Sequence, residues 1–351
     1  MSARRTTTKI CLLFCAAILL APELFGQVSC FDQAMQAFRQ RLWAQSASAF
    51  AECEKKDAAR TDALLYRGKA LVNLGQFADA SAALESYRKN HPQSDDAAYL
   101  LAYVRFRQNQ PKESLRLFTD AAKLKHPAPD DLKIVALDYV LLSDYDDAAR
   151  YLEESLAMDP ANVEARYHLG RVRYQQNRFD LAIVAFQEVL RRDPRNIKAE
   201  DNLGLGLEAK NEVDRAIGAY REAIKLDENS PVHDEQPYLN LGILLAKSGR
   251  SQEAVPLLVR AAEITPNSGK IHYQLAKTYF DLNRFEDARH EAEKAVSLEP
   301  DQSSNHYLLG RIYQRSGNRA LAAEQFQLTE ALIHRQGQDS HEGMSSGRNI
   351  R

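Results

Sequence analysis

The chain repeats itself every 34 residues, and that spacing constrains the fold more than any other feature. Repeats opening at Gln27, Thr61, Asp95, Pro129, Val163, Ile197, Glu235, Gly269 and Ser303 follow one another in steps of 34, with one step of 38 between Ile197 and Glu235. A period in this range marks a stacked array of small supersecondary pieces, each contacting only its neighbours. Such an array has no single core to outgrow, so a chain of 351 residues need not divide into two or three globular domains.

The repeated positions have a physical logic. The eighth residue of every repeat is Gly or Ala, from Ala34 and Gly68 through Gly170, Gly204 and Gly242 to Gly310. The twentieth is small throughout, as in Ser46, Ala80, Ala182 and Ala322. Two antiparallel helices approach closely only where neither carries bulk, so these positions are predicted to meet. Position 24 supplies large knobs, among them Phe50, Leu84, Phe118, Leu152, Phe186, Tyr220, Leu258 and Phe326. Position 15 is Gly75, Asn109, Ser143, Asn177, Asn211, Gly249, Asn283 or Gly317, residues mostly suited to the left-handed turn that ends a helix. Pro92, Pro160, Pro194, Pro266 and Pro300 at position 32 stop the second helix.

Leu169, Gly170, Ala182, Phe186 and Pro194 in one repeat, and Leu309, Gly310, Tyr313, Ala322 and Phe326 in another, resemble the tetratricopeptide signature. The resemblance covers residues 27 to about 335. It implies an all-α fold, a right-handed tetratricopeptide repeat (TPR) solenoid of about nine antiparallel helix pairs. Repeat 1 matches least well, with Gln33 at position 7 and Arg41 at position 15, as expected of a cap with one face in water. Trp43 occupies the slot of Phe77, Tyr145, Phe179 and Phe285 and reads as core. The four extra residues around Asn229 to Gln236 read either as a hinge or as a longer surface loop.

Residues 1–26 have the order of a secretory signal: Arg4, Arg5 and Lys9, an apolar run from Ile10 to Ala21, then Pro22 and Glu23. The run is short for a membrane span, which leaves an uncleaved anchor as the other reading. The chain is therefore expected to be exported, periplasmic or secreted after cleavage. Cys11 and Cys15 would leave with the signal, and Cys30 and Cys53, on facing helices of the first hairpin, are the disulfide candidates. A lipid on Cys30 is the alternative, although Gln27, Val28 and Ser29 lack the usual leucine. The polar tail 336–351 reads as disordered.

A net charge of −2, with no basic block, leaves no footprint for nucleic acid. The repeats occupy nearly the whole chain, and neither a phosphate-binding glycine loop nor an HExxH helix occurs, so no catalytic activity and no cofactor are expected. His272 and His306 are one period apart at position 4 and read as packing rather than as a metal site.

The family resemblance implies that positions 2, 5, 9 and 12 of each first helix line a concave groove. Here they supply an aromatic surface with basic points: Tyr99, Tyr103, Tyr167, Arg171, Tyr174, Tyr273, Lys277, Tyr307 and Arg311. Tyr and Arg anchor interfaces well, and this set suits a peptide or protein partner with acidic and apolar character. Tyr at position 5 as mere packing is the competing reading. The carboxylate clamp known in one subclass is unsupported, because Lys133 at position 5 is followed by Leu137 at position 9. The function implied is a protein–protein interaction scaffold without direct membrane contact. The alternative is a component of polysaccharide export or envelope assembly that grips a glycan polymer or a membrane protein.

Overall fold

The computed structural model describes residues 29–346, so the signal peptide read at 1–26 and the residues after 346 lie outside it. Among the described residues there are 18 helices and no strand. They fall into two compact units, the first ending at Asp144 and the second beginning at Tyr145. The division lies inside the fourth repeat, where neither period nor composition changes.

The N-terminal unit holds α1 (Cys30–Arg39), α2 (Trp43–Lys56), α3 (Asp62–Asn73), α4 (Phe77–Asn90), α5 (Asp95–Arg107), α6 (Pro111–Ala122) and α7 (Pro129–Leu141). The C-terminal unit runs α8 (Tyr145–Met158), α9 (Val163–Gln175), α10 (Phe179–Arg192), α11 (Ile197–Ala209), α12 (Val213–Glu228), α13 (Gln236–Lys247) and α14 (Ser251–Ile264). It continues through α15 (Gly269–Asp281), α16 (Phe285–Leu298), α17 (Ser303–Arg315) and α18 (Arg319–Ser346). Within each unit every helix packs on its chain neighbour, and the first helices of successive repeats also touch: α1, α3, α5 and α7 in one unit, α9, α11, α13, α15 and α17 in the other. These are the helix pairs the period implies.

Position 15 shapes the hairpins. All nine residues there have positive φ, including Arg41 at 59° and Asn177 at 57°. The following N–H then reaches back to a carbonyl five residues earlier, as in Gln76 to Leu71 (3.0 Å), Arg178 to Arg173 (2.9 Å) and Asn318 to Tyr313 (2.9 Å). That bond satisfies carbonyls which the helix end would otherwise leave open. At the other end Asn162 and Asn196 accept from the N–H groups of Ala165 and Ala199, each at 2.9 Å, and so start the next hairpin.

The small positions bury as a seam. Ala34, Ala80, Ala102, Ala136, Ala182, Ala216 and Ala276 have no solvent exposure. Where position 20 is Ser the hydroxyl donates across the hairpin, from Ser114 to the Ala102 carbonyl (2.9 Å) and from Ser46 to that of Ala34 (3.4 Å). Position 8 also lies beneath the position 24 knob: a Cβ on Gly204 would stand 2.5 Å from the Tyr220 ring.

Cys30 and Cys53 form a disulfide between α1 and α2, with Cα atoms 5.6 Å apart. It closes an aromatic cluster in which Phe31, Phe38, Phe50 and Tyr66 pack at 5.3 to 6.4 Å, with Trp43 edge-on to Phe38 at 5.3 Å. The first hairpin thus gains a covalent tie between its two helices. The inserted residues before α13 are bonded rather than loose, because fully buried Asp227 gathers three donors. They are His233 Nδ1 (3.0 Å), the Asp234 N–H (2.7 Å) and the Tyr238 hydroxyl (3.2 Å). The tail differs from the disordered segment expected from 336: α18 continues to Ser346. No proline interrupts that stretch, so helical backbone hydrogen bonding can continue through it.

Candidate functional site

Tyr99 and Tyr103 stand on α5 in the N-terminal unit. Tyr99 packs against Phe118 at 6.0 Å and donates its hydroxyl to the Lys125 carbonyl at 2.6 Å. Burial, reinforced by Asp131 and Asp95, pushes its phenol up to about 12. The Tyr103 hydroxyl accepts from Arg107 at 2.7 Å, and the same guanidinium covers the Phe77 ring at 4.5 Å. A cavity of about 380 Å³ lies against both tyrosines, lined also by Asp95, Asp96, Asp130 and Asp131 and by Lys69 and Lys125. Both lysines are matched by carboxylates. Lys69 pairs with Asp96 at 2.8 Å and Lys125 with Asp95 at 2.9 Å. The signal for these acids was present in the sequence, as aspartate pairs opening repeats 3 and 4, with Asp96 and Asp130 at position 2, one of the four that the resemblance selects.

In the C-terminal unit Tyr167 and Arg171 come together on α9, the guanidinium 6.0 Å from the ring. The Tyr167 ring leans on Phe186 at 6.0 Å, and its hydroxyl accepts from the Asn202 amide at 3.3 Å. Burial raises its phenol above the ordinary value. Tyr174 turns toward Phe179 at 5.5 Å and packs on the apolar core. Next along the row, at the slot Tyr167 fills, Asp201 is buried, and both its oxygens accept from Asn240, at 2.9 and 3.1 Å. Burial pushes that carboxyl up to about 7.

Repeats 8 and 9 present the most open part of the row. Tyr307 is 51% exposed with its ring tilted against Phe326 at 5.9 Å, while Tyr273 rests partly on the core. Arg311 lies over Phe280 at 4.8 Å, joining the two repeats, and Lys277 is exposed one turn from Tyr273. Among the described residues, Arg171, Lys277 and Arg311 have no carboxylate within ion-pair distance. On the second helices Arg116, Arg150 and Arg289 each pair with a carboxylate three residues away at 2.6 to 2.7 Å, and Arg215 pairs with Glu212 in the same way. These three first-helix cations thus differ from the four second-helix arginines, whose charge is neutralised within their own helix.

Comparison with known proteins fits this geometry. Profiles described as tetratricopeptide repeat match residues 67–131, 136–197 and 202–269, and a second matches 245–312. The chain belongs to the tetratricopeptide repeat family. Its repeats form an interaction scaffold. Among solved structures of the family's fold, the Cut9–Hcn1 hetero-tetramer of APC/C aligns with a TM-score of 0.58 at 15% identity, over 81% of this chain and 55% of that one. MamA aligns at 24% identity with a TM-score of 0.44, over 48% and 97%. YrrB, titled a TPR protein with an unusual peptide-binding site, aligns at 17% and 0.44, over 52% and 93%. Among curated proteins, the Drosophila melanogaster protein O-mannosyl-transferase Tmtc1 is 28% identical over 92 residues, which is 25% of this chain and 11% of that protein. The chain therefore spans about a tenth of that relative.

The two family-position histidines are structural. His272 Nε2 faces the Pro266 carbonyl (2.9 Å) and Nδ1 the Glu291 carboxylate (2.5 Å), while His306 bridges Pro300 (2.9 Å) and Gln325 (2.7 Å) in the same way. Each ties an inter-repeat turn to the second helix of its own hairpin. Among the described residues no cluster of three His, Cys, Asp or Glu could hold a metal, and no helix is long and apolar enough to cross a membrane.

Proposed function

We propose that this chain is an exported scaffold that holds a protein partner by an extended segment bearing acidic and aromatic side chains. The segment lies along the first helices of the C-terminal unit, against Tyr167, Arg171, Tyr273, Lys277, Tyr307 and Arg311. The observation that carries the reading is the placement of Lys277 and Arg311. They are exposed cations at one position of consecutive hairpins, unpaired among the described residues, each one turn from a tyrosine. A cation beside an aromatic face offers an acidic peptide both charge and contact area. The Cys30–Cys53 bond supports an oxidising compartment, as does the charged, apolar, polar order of residues 1–26.

Selection of peptides from a random library on the mature chain tests this. Enrichment of Asp or Glu next to aromatic residues is expected, with binding weakened by salt and by the paired substitution Lys277→Glu, Arg311→Glu. Enrichment of basic or purely aliphatic peptides would contradict the reading.

A further inference from the structure

We infer that the groove between the second and third hairpins is an anion site that takes a phosphate group. A cavity of about 320 Å³ opens there, floored by buried Leu101 and Leu117. Its walls carry Arg88, Lys89, Arg105 and Arg116 against the two carboxylates Glu85 and Glu113. Among the lining residues two positive charges are in excess, and Asp120 just outside them shares Arg116, so the groove keeps a net positive charge that favours an anion.

The cations are not equally occupied. Arg116 is held by Glu113 (2.6 Å) and Asp120 (3.2 Å). Arg105 pairs with Glu85 and donates to Gln108 at 2.9 Å, but its Nε–H is buried without an acceptor. Arg88, half-buried, has no carboxylate within ion-pair distance and no acceptor among the described residues, and its Nε–H is buried as well. Exposed Lys89 has no ion pair there either. Desolvating a guanidinium without a partner is costly, so donors left open beside a cavity point to an anion. Arginine forks match phosphate oxygens in a way that a cavity of lysines would not.

The repeat itself does not demand these side chains. At the same register between repeats 4 and 5, Arg173 and Glu153 pair just as Arg105 and Glu85 do. There, however, Leu156, Ala157 and Val184 stand where Arg88, Lys89 and Arg116 stand here. The shared pair serves stacking, and of the three added cations Arg88 stands at a position that is basic in no other repeat, while Lys55, Lys123, Arg191 and Lys225 recur at that of Lys89 and Arg150 at that of Arg116. This site is on different elements from the first-helix row and does not rest on the function proposed above.

Calorimetric titration of the mature chain with inorganic phosphate, in chloride at fixed ionic strength, tests the assignment. One site is expected, weakened about tenfold or more in Arg88→Gln and clearly weakened in Lys89→Gln. Lys89 is exposed, so its substitution leaves the fold intact. Arg191→Gln, a second-helix control, should bind as the wild type does. No saturable phosphate binding, or equal affinity in the wild type and both groove variants, would overturn the proposal. Phosphatidylcholine vesicles with and without phosphatidic acid then separate two sources of the group. Binding that needs both phosphatidic acid and Lys89 assigns a lipid head group, and phosphate binding without vesicle binding assigns a soluble ligand.

Discussion

Gly170 lies directly under the ring of Phe186, so close that a Cβ added at 170 would stand 2.6 Å from Cε1. The small residue of the first helix and the large one of the second are one feature seen from two sides. Gly170→Ala would gain about 1 kcal/mol of helix propensity. It would lose about 1–3 kcal/mol to overpacking, because the ring is fully buried and has nowhere to move. Net destabilisation of up to about 2 kcal/mol is expected in urea unfolding. A stabilised variant would show that the hairpin can open at this point.

Asp138 occupies a slot filled by Val104 and Val172 in the adjoining repeats, and it is fully buried. Neither carboxyl oxygen has a hydrogen-bond partner among the described residues, and the nearby Ser114 hydroxyl is committed to Ala102. Burial raises the group from 3.8 to about 7. A carboxyl raised in the folded state stabilises most below its unfolded value, and that contribution disappears as pH rises through about 7. At about 1.4 kcal/mol per unit the loss is at most about 4 kcal/mol. Asp138→Asn should remove part of this pH slope, with buried Asp201 supplying the remainder, and Asp138→Val should raise the melting temperature at pH 8. An unchanged slope in Asp138→Asn would exclude this carboxyl as its source.

Asp227 holds the inserted loop through three donors, so Asp227→Ala would strand the Tyr238 hydroxyl and the Asp234 N–H. A loss of about 2–4 kcal/mol is expected, at the upper end for a charged acceptor. Limited proteolysis should then cut first within residues 229–236. Cleavage elsewhere at the wild-type rate would mean that the loop holds itself.

Reduction of Cys30–Cys53 should cost the cap about 2–4 kcal/mol, since the bond closes a loop of separation 23. Because an array loses stability locally, amide exchange in α1 and α2 should rise while α13 to α16 stay protected. Uniform acceleration would mean the repeats unfold as one block.

Much of the fold was legible because small residues recur at fixed positions: Gly170 with Ala182 and Gly204 with Ala216 announce the hairpin seam, whereas the seating of the Phe186 and Tyr220 rings over those glycines emerges only in three dimensions. The Arg41 turn was not, because arginine carries no left-handed preference, and the bond from Leu42 to the Ala37 carbonyl (3.0 Å) holds that conformation in place. The candidate row was legible only as positions. Burial of Asp201 depends on Asn240 reaching over from the next first helix, beyond the insertion, and neither residue alone signals it. The anion groove was hidden altogether, since Arg88 and Arg105 belong to different repeats and a period averages such differences away.

The most direct test of the scaffold account is affinity capture from native envelope extract, comparing the mature chain with its Lys277→Glu, Arg311→Glu variant. The account predicts a protein partner, held by the wild type, reduced at least about tenfold in the variant and absent when the extract is first treated with protease. Equal capture by both baits, or a bound polymer that survives the protease, would contradict it.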